Sequence, residues 1–217
     1  MPDTKFEAAI FDMDGLILDS ERAVLDCWDI VGERHGLEGI REFAYSVIGR
    51  DVVDTNRMFG ERYGLDPVAI RTEKRQIFKE RFAQGLVTLK PYSVELLEKM
   101  KSIGMKTALA SSSSREDVVG ELGALGALQY FDAVICGDQV TKSKPDPEIF
   151  LKAADMLGVA PSCCIGLEDS FNGVRACKAA GLYTVMVPDI LQPDDEIKKI
   201  PDIIVGSLAD VIKLLDS

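Results

Sequence analysis

The chain is short of the residues that several classes of protein require. It has one histidine and one tryptophan, and 25 basic residues face 36 acidic ones, which gives a net charge of −11 over 217 residues. Nucleic acids and anionic membrane surfaces are bound through clustered Lys and Arg, so this charge argues against both as partners. No apolar run reaches the ~18 residues of a membrane span, and no basic segment followed by an apolar stretch opens the chain. We therefore expect a cytoplasmic protein without a membrane anchor.

The cysteines do not form a disulfide framework. There are five, an odd number, and none of them forms a C-x-x-C pair. Cys163 and Cys164 are adjacent in an apolar run, which predicts that they point to opposite faces of a buried strand. We interpret all five as reduced packing residues in a reducing compartment. We also expect the protein to be a monomer.

Short apolar segments alternate with helical patterns over most of the chain. Such alternation is typical of right-handed βαβ units, which build a parallel sheet covered by helices on both faces. The predicted fold class is therefore α/β, with a Rossmann-like parallel sheet. The predicted strands are Phe6–Phe11, Lys106–Ala110, Ala133–Cys136, Cys163–Gly166, Tyr183–Val187 and Ile203–Val205.

A helical block interrupts this alternation after the first strand. From Leu16 to Gly85 apolar residues recur at helical spacing, and the breaks fall at Gly49, Gly64 and Asp66-Pro67. We predict two domains: an α/β core of residues 1–15 and 86–217, and an inserted all-helical domain of residues 16–85.

Polar side chains follow the predicted strands at the points where the strands end. In an open parallel sheet, ligands bind beyond the carboxyl ends of the strands. Two lysines beyond the third strand, Lys142 and Lys144, are both close enough in sequence to reach this edge. Pro145 favours Lys144, because a proline biases the residue before it to an extended conformation. The candidate residues are Asp12, Asp14, Ser111, Lys144, Glu168 and Asp169.

Four carboxylates at one edge require compensating charge. Two unit charges ~4 Å apart repel by roughly 4 kcal/mol at an effective dielectric of 20. Oxygen ligands of this kind favour a hard divalent cation, and Mg²⁺ is the expected cofactor. With the cation, one lysine and one protonated Asp, the site is close to neutral and can accept a phosphate dianion. Asp12 is then placed to attack phosphorus, and Asp14 to act as acid and base.

These segments resemble the haloacid dehalogenase (HAD) superfamily. Asp12-Met13-Asp14-Gly15 matches its first motif, Ser111 after an apolar strand its second, Lys144-Pro145 its third and Glu168-Asp169 its fourth. The helical insertion resembles the C1-type cap of that superfamily. The segments 11–21 and 166–170 are similar to the β-phosphoglucomutase-like phosphatase branch.

The resemblance implies a role for each motif residue. Asp12 is the nucleophile and Asp14 the acid/base. Ser111, with Ser112 beside it, and Lys144 hold phosphate. The implied Mg²⁺ ligands are Asp12, the backbone carbonyl of Asp14, and Asp169, with Glu168 adjoining.

Residues of the helical insertion decide between related activities. In the mutases of this branch a histidine follows the second Asp by ten residues, but here that position is Val24, which cannot exchange a proton. Trp28 matches a substrate-facing cap position, although packing within a helix accounts for it equally well. Arg50 is a candidate substrate contact, or else a solvated surface arginine.

The prediction is a Mg²⁺-dependent phosphatase that hydrolyses a small phosphorylated metabolite, a sugar phosphate or a nucleotide-like monophosphate, through an aspartyl phosphate. The first alternative is a phosphosugar mutase, which Val24 disfavours. The second is a phospho-acceptor signalling domain. Such a domain lacks a second Asp two residues beyond the acceptor, so Asp14 argues against it.

Overall fold

The computed structural model describes residues 6–50 and 52–216, and the centre of the fold is a six-stranded parallel sheet. The strand order is β3-β2-β1-β4-β5-β6, with every neighbouring pair parallel. This confirms the predicted α/β class with a Rossmann-like sheet. The strands are β1 (Ala8–Phe11), β2 (Lys106–Ser111), β3 (Ala133–Cys136), β4 (Cys164–Glu168), β5 (Tyr183–Met186) and β6 (Ile203–Ile204).

Nine α-helices are assigned within the described residues. The first four follow β1 without an intervening strand, and the other five lie before, between and after the remaining strands, with no described residue between β5 and β6 in an α-helix. They are α1 (Glu21–His35), α2 (Ile40–Ser46), α3 (Val52–Tyr63), α4 (Pro67–Ala83), α5 (Ser93–Ser102), α6 (Arg115–Ala124), α7 (Glu148–Leu157), α8 (Phe171–Ala179) and α9 (Leu208–Leu215).

The strand order reverses direction between β1 and β4. Successive strands are added on one side from β1 to β3, and on the other side from β4 to β6. In the register, Phe11 lies between Leu109 of β2 and Leu167 of β4. A reversal of this kind opens a crevice at the carboxyl ends of the two central strands. The residues that follow Phe11 and Leu167 therefore meet at that crevice.

The chain divides into two compact units. One comprises the chain up to Leu18 together with the chain from Leu89 onward, and the other is Asp19–Thr88. Both junctions fall three residues later than the boundaries expected from the sequence. Residues 16–18 are buried, and Leu18 pairs with both Asp14 and Leu89, which accounts for the position of the first junction.

The second unit contains α1–α4 and is held by an aromatic cluster. The Trp28 ring is stacked on Phe59 at 5.7 Å between centroids, and it meets Phe43 edge-on at 5.5 Å. Asp66 caps α4 by accepting a hydrogen bond from the Val68 backbone N–H, and Pro67 is the first helical residue. Aspartate followed by proline is a favoured helix start, so the break expected at this pair is also the beginning of α4.

The fourth strand differs from its expected position. It begins at Cys164 rather than Cys163, and it continues past Gly166 to Glu168. Cys163 lies in a preceding 3-10 turn and is partly exposed, so the expectation that both cysteines lie on one buried strand is wrong. All five cysteines are free thiols. Among the described residues, no helix is both long enough and apolar enough to cross a membrane.

Candidate active site at the carboxyl ends of β1 and β4

Asp12 is the first residue after β1, and the backbone fixes it at the central crevice. Its N–H donates to the Leu167 carbonyl of β4 at 3.0 Å, which extends the pairing of the strands by one residue. The chain then turns sharply at Gly15, whose φ of 77° lies in the left-handed region that glycine adopts without strain. The turn is closed by the Gly15 N–H, which donates to the Leu18 carbonyl at 2.9 Å.

Lys144 reaches the same crevice from the loop before α7. Its side-chain nitrogen donates to Asp12 Oδ1 at 2.5 Å, to Glu168 Oε1 at 2.6 Å and to the Ala110 carbonyl at 2.9 Å. An ammonium group has three donors, and these three contacts use all of them. The side chain of Lys142, the other candidate lysine, is 71% exposed, and its Nζ lies 3.4 Å from Asp146 Oδ2.

Glu168 is the last residue of β4 and is fully buried. One oxygen accepts from Lys144, and the other accepts from the Ser170 N–H at 3.0 Å and the Ser170 hydroxyl at 2.9 Å. The carboxylate lies against α8 at Gly173, where a Cβ would be 1.8 Å from its carboxyl carbon. Gly173 is thus a residue of the site that the motif analysis missed, because only the packing of α8 on β4 reveals the need for glycine.

Three buried carboxylates converge on one point. Asp12, Glu168 and Asp169 each offer an oxygen, and these oxygens all lie within 4.8 Å of one another. A set of hard oxygen donors with one lysine nearby fits Mg²⁺. The carboxylate of Asp14 is not in this group.

The charges of the site act strongly on each other because the groups are buried. Burial raises the pKa of Asp12 well above its usual range, the positive charge of Lys144 opposes that rise, and the negative charges of Glu168 and Asp14 add to it. For Lys144, burial alone would lower the pKa, but the charges of Asp12 and Glu168 outweigh it and raise the pKa. Lys144 therefore stays protonated, and a cation beside Asp12 would favour the ionised carboxylate.

One of the serines after β2 contacts Asp14. Ser113 donates its hydroxyl hydrogen to Asp14 Oδ2 at 3.0 Å, and its N–H donates to the hydroxyl oxygen of Ser111 at 3.1 Å. Ser111 is fully buried and Ser112 is exposed. Ser113 is a second residue that the sequence reasoning missed, and its place in the run of four serines was the available signal.

Gly137, which follows β3, lets two loops approach each other closely. A Cβ at this position would lie 2.2 Å from the Ser112 carbonyl oxygen, and the Gly137 N–H donates to the Ser113 carbonyl at 2.9 Å. The close approach fixes the backbone on which Ser111 and Ser112 are carried.

The candidates from the helical insertion lie in the second unit. Trp28 is buried in the aromatic cluster there, and the side-chain nitrogen of Lys74 lies 4.6 Å from the centre of its ring. Arg50 is exposed and donates to the Ser46 carbonyl at 2.9 Å. Both remain predictions as substrate contacts. His35 pairs with Glu73 at 2.7 Å, at the end of α1.

Comparison with known proteins agrees with this geometry. The family of haloacid dehalogenase-like hydrolases matches residues 9–187, which include all of β1 except its first residue, β2 to β5, and every motif residue. The chain belongs to this family. A phosphatase of phosphorylated carbohydrates from Thermotoga maritima is 32% identical over 82% of this chain and 83% of its own length. A β-phosphoglucomutase from Bacillus subtilis is 31% identical over 83% of each chain.

A solved structure extends the match to the whole fold. The β-phosphoglucomutase of Clostridium difficile superimposes with a TM-score of 0.80 at 27% identity, over 97% of this chain and 96% of its own. The resemblance inferred from the motifs is confirmed, and so is the prediction of an enzyme, a HAD-family phosphatase.

Proposed function

We propose that this HAD hydrolase is a Mg²⁺-dependent phosphatase acting on a small phosphorylated sugar, through a phosphoryl group held on Asp12. The observation that carries the proposal is the meeting of Asp12 with Lys144 and with two further carboxylates at the crevice between β1 and β4. The substrate class is supported by the Thermotoga maritima relative, whose name describes a phosphatase of phosphorylated carbohydrates.

Asp12, Glu168 and Asp169 would hold the cation, together with the Asp14 backbone carbonyl. When bound, Mg²⁺ supplies positive charge that reduces the repulsion between the Asp12 carboxylate and the phosphate. Lys144 supplies a second positive charge that is fixed before substrate arrives. Ser111 is the last residue of β2 and Ser112 follows it, and their hydroxyl and backbone N–H groups can donate to phosphate oxygens there.

The reaction proceeds in two steps. In the first, an oxygen of Asp12 bonds to phosphorus while the bond from phosphorus to the sugar oxygen breaks, and Asp14 gives that oxygen a proton. In the second, Asp14 removes a proton from water, the water oxygen bonds to phosphorus, and the bond to Asp12 breaks. Asp12 returns to its carboxylate form, and inorganic phosphate leaves.

The test is phosphate release from a panel of sugar phosphates and nucleoside monophosphates, with Mg²⁺ and with excess chelator. Turnover of one or more sugar phosphates is expected with Mg²⁺, and the chelator should abolish it. The Asp12→Asn variant keeps the size of the side chain but has no nucleophilic oxygen, so its kcat should fall by at least about a thousandfold. Substantial turnover by that variant would remove Asp12 from its role.

The mutase alternative is supported by the relative named β-phosphoglucomutase, and Val24 argues against it because valine carries no exchangeable proton. The same panel separates the two activities. Interconversion of hexose 1-phosphate and hexose 6-phosphate without net phosphate release would favour the mutase.

A further inference from the structure

Lys144 is carried by an exposed loop, yet its side chain is buried. Thr141, Lys142 and Ser143, the three residues before it, are all exposed, whereas Lys144 is 8% exposed. The three contacts of its ammonium group tolerate little displacement. The backbone of this loop must therefore be held by contacts outside the crevice.

The carboxylate of Glu148, the first residue of α7, makes such contacts. Its two oxygens accept from the Thr141 N–H at 3.1 and 3.0 Å, and one of them also accepts from the Thr141 hydroxyl at 2.7 Å and from the Lys142 N–H at 2.9 Å. These bonds join the beginning of the loop to the residue that ends it. The six residues between Thr141 and Glu148 form a closed segment with Lys144 in its middle.

Other bonds support the same segment from within and from outside. The Glu148 N–H donates to Asp146 Oδ1 at 3.1 Å, and the Asp146 N–H donates to the Ser143 carbonyl at 3.0 Å. Lys152, one turn along α7, contacts Glu148 Oε1 at 2.7 Å and the Gln139 carbonyl at 2.8 Å. The segment is thus tied both to the helix after it and to the turn before it.

We propose that Glu148 is a positioning residue for phosphoryl transfer, which sets the loop backbone so that the Lys144 ammonium group lies at Asp12 and at the phosphate. This proposal rests on the phosphatase function proposed above. Glu148 does not touch the substrate, and its effect on the reaction passes through Lys144 alone.

The Glu148 carboxylate is ionised over the whole pH range in which an enzyme works. Hydrogen bonds from Lys152 and Thr141 lower the pKa of Glu148 to about 2. A group with a lowered pKa loses its contribution only as the pH falls through that value. The hydrogen bonds from the loop to Glu148 are therefore present throughout that range. Removing the carboxylate should lower kcat at every pH without changing the shape of the pH profile.

The experiment compares Glu148→Ala with Asp155→Ala, using p-nitrophenyl phosphate as substrate and orthovanadate as inhibitor. Asp155 is an exposed acid on the same helix, two turns further on. Small displacements of a catalytic group can cost up to about a hundredfold. For Glu148→Ala we expect kcat to fall roughly ten- to a hundredfold, KM to change less than about threefold, and the inhibition constant of vanadate to rise with the fall in kcat. Asp155→Ala should match the wild type.

The vanadate measurement separates positioning from stability. A purely structural role would reduce the fraction of active enzyme, which lowers the apparent kcat but leaves the inhibition constant of vanadate unchanged. Glu148→Gln keeps one acceptor oxygen and should fall between Glu148→Ala and the wild type, and it provides the measurement if the alanine variant does not fold. An unchanged vanadate constant in Glu148→Ala and Glu148→Gln, with an active wild type, overturns the positioning role. A wild type that releases no phosphate from any ester overturns the proposed function itself.

Discussion

Lys144 and Asp12 show how a buried charge is stabilised at the scale of single residues. An isolated carboxylate or ammonium group loses several kcal/mol of hydration when it is buried, and it is retained only when its partners satisfy it. Here the lysine contacts two carboxylates and a carbonyl, and Glu168 is satisfied in turn by Ser170. The pair is therefore preorganised, with the positive charge of Lys144 fixed beside the Asp12 carboxylate.

Asp14 can be tested separately from Asp12. In Asp14→Asn the amide neither gives nor takes the proton, so we expect breakdown of the aspartyl phosphate to slow by roughly 10²- to 10⁴-fold. Phosphoenzyme should then accumulate, which intact-mass spectrometry after mixing with substrate would detect. Asp12→Asn is the control, since it has no carboxylate to phosphorylate. Rapid turnover by Asp14→Asn would exclude the assigned acid/base role.

At the scale of the elements, the site depends on where strands end and how closely helices approach them. Glu168 belongs to β4 itself, because the strand continues two residues beyond the apolar run that the sequence suggested. Its carboxylate then fits under α8 only because residue 173 has no side chain. Ser111 likewise ends β2, and the loop after it is fixed against Gly137.

Gly173→Ala tests the packing of α8 against the site. The added Cβ would overlap the Glu168 carboxylate and displace it from Lys144 and Ser170, so we expect a loss of about 1–3 kcal/mol in the free energy of unfolding, together with a loss of activity. Gly120→Ala on α6 is the matched control, because nothing lies within 4 Å of a Cβ at that position. Alanine there should stabilise the helix by up to about 1 kcal/mol. Denaturant unfolding measures the free energy of unfolding of both variants, which should change in opposite directions. Equal changes in the two variants would refute this account of Gly173.

At the scale of the whole molecule, segments far apart in sequence form one site. Asp12, Lys144 and Asp169 come from three separate parts of the chain, and α1–α4 lie in the sequence between the first of these and β2. The parallel sheet brings them together because it places the carboxyl ends of all its strands at one edge. In the proposed function, a cation at the three buried carboxylates of that edge offsets their negative charge before an anionic substrate binds.

Binding of Mg²⁺ should stabilise the folded molecule. A ligand at a hundred times its Kd contributes about 2.7 kcal/mol, and we expect Tm to rise by several degrees in differential scanning fluorimetry as MgCl₂ is added. Asp169→Asn removes one ligand and should lose most of the rise. Asp155→Asn makes the same chemical change at an exposed site and should keep it. Equal rises in both variants would show that the metal binds elsewhere.

Much of this protein is determined by local sequence alone. The alternation of apolar segments with helical patterns fixes the α/β class, since period and length distinguish strands from helices. The four motifs indicate the edge of the sheet where the candidate site lies, because the sequence places each of them near or beyond the carboxyl end of a strand. Asp66-Pro67 marks both a break and a helix start for the same local reason.

Other features were decided only by the tertiary structure, because they depend on distances between segments remote in sequence. The extent of β4 is set by its pairing with β5, where Glu168 lies opposite Met186, and not by the apolar pattern. The pairing of Leu18 with Asp14 and Leu89 places residues 16–18 with the first unit. Three further features arise from packing, which a linear pattern does not encode. They are the need for glycine at position 173, the hydrogen bond from Ser113 to Asp14, and the hydrogen bonds by which Glu148 holds the loop of Lys144.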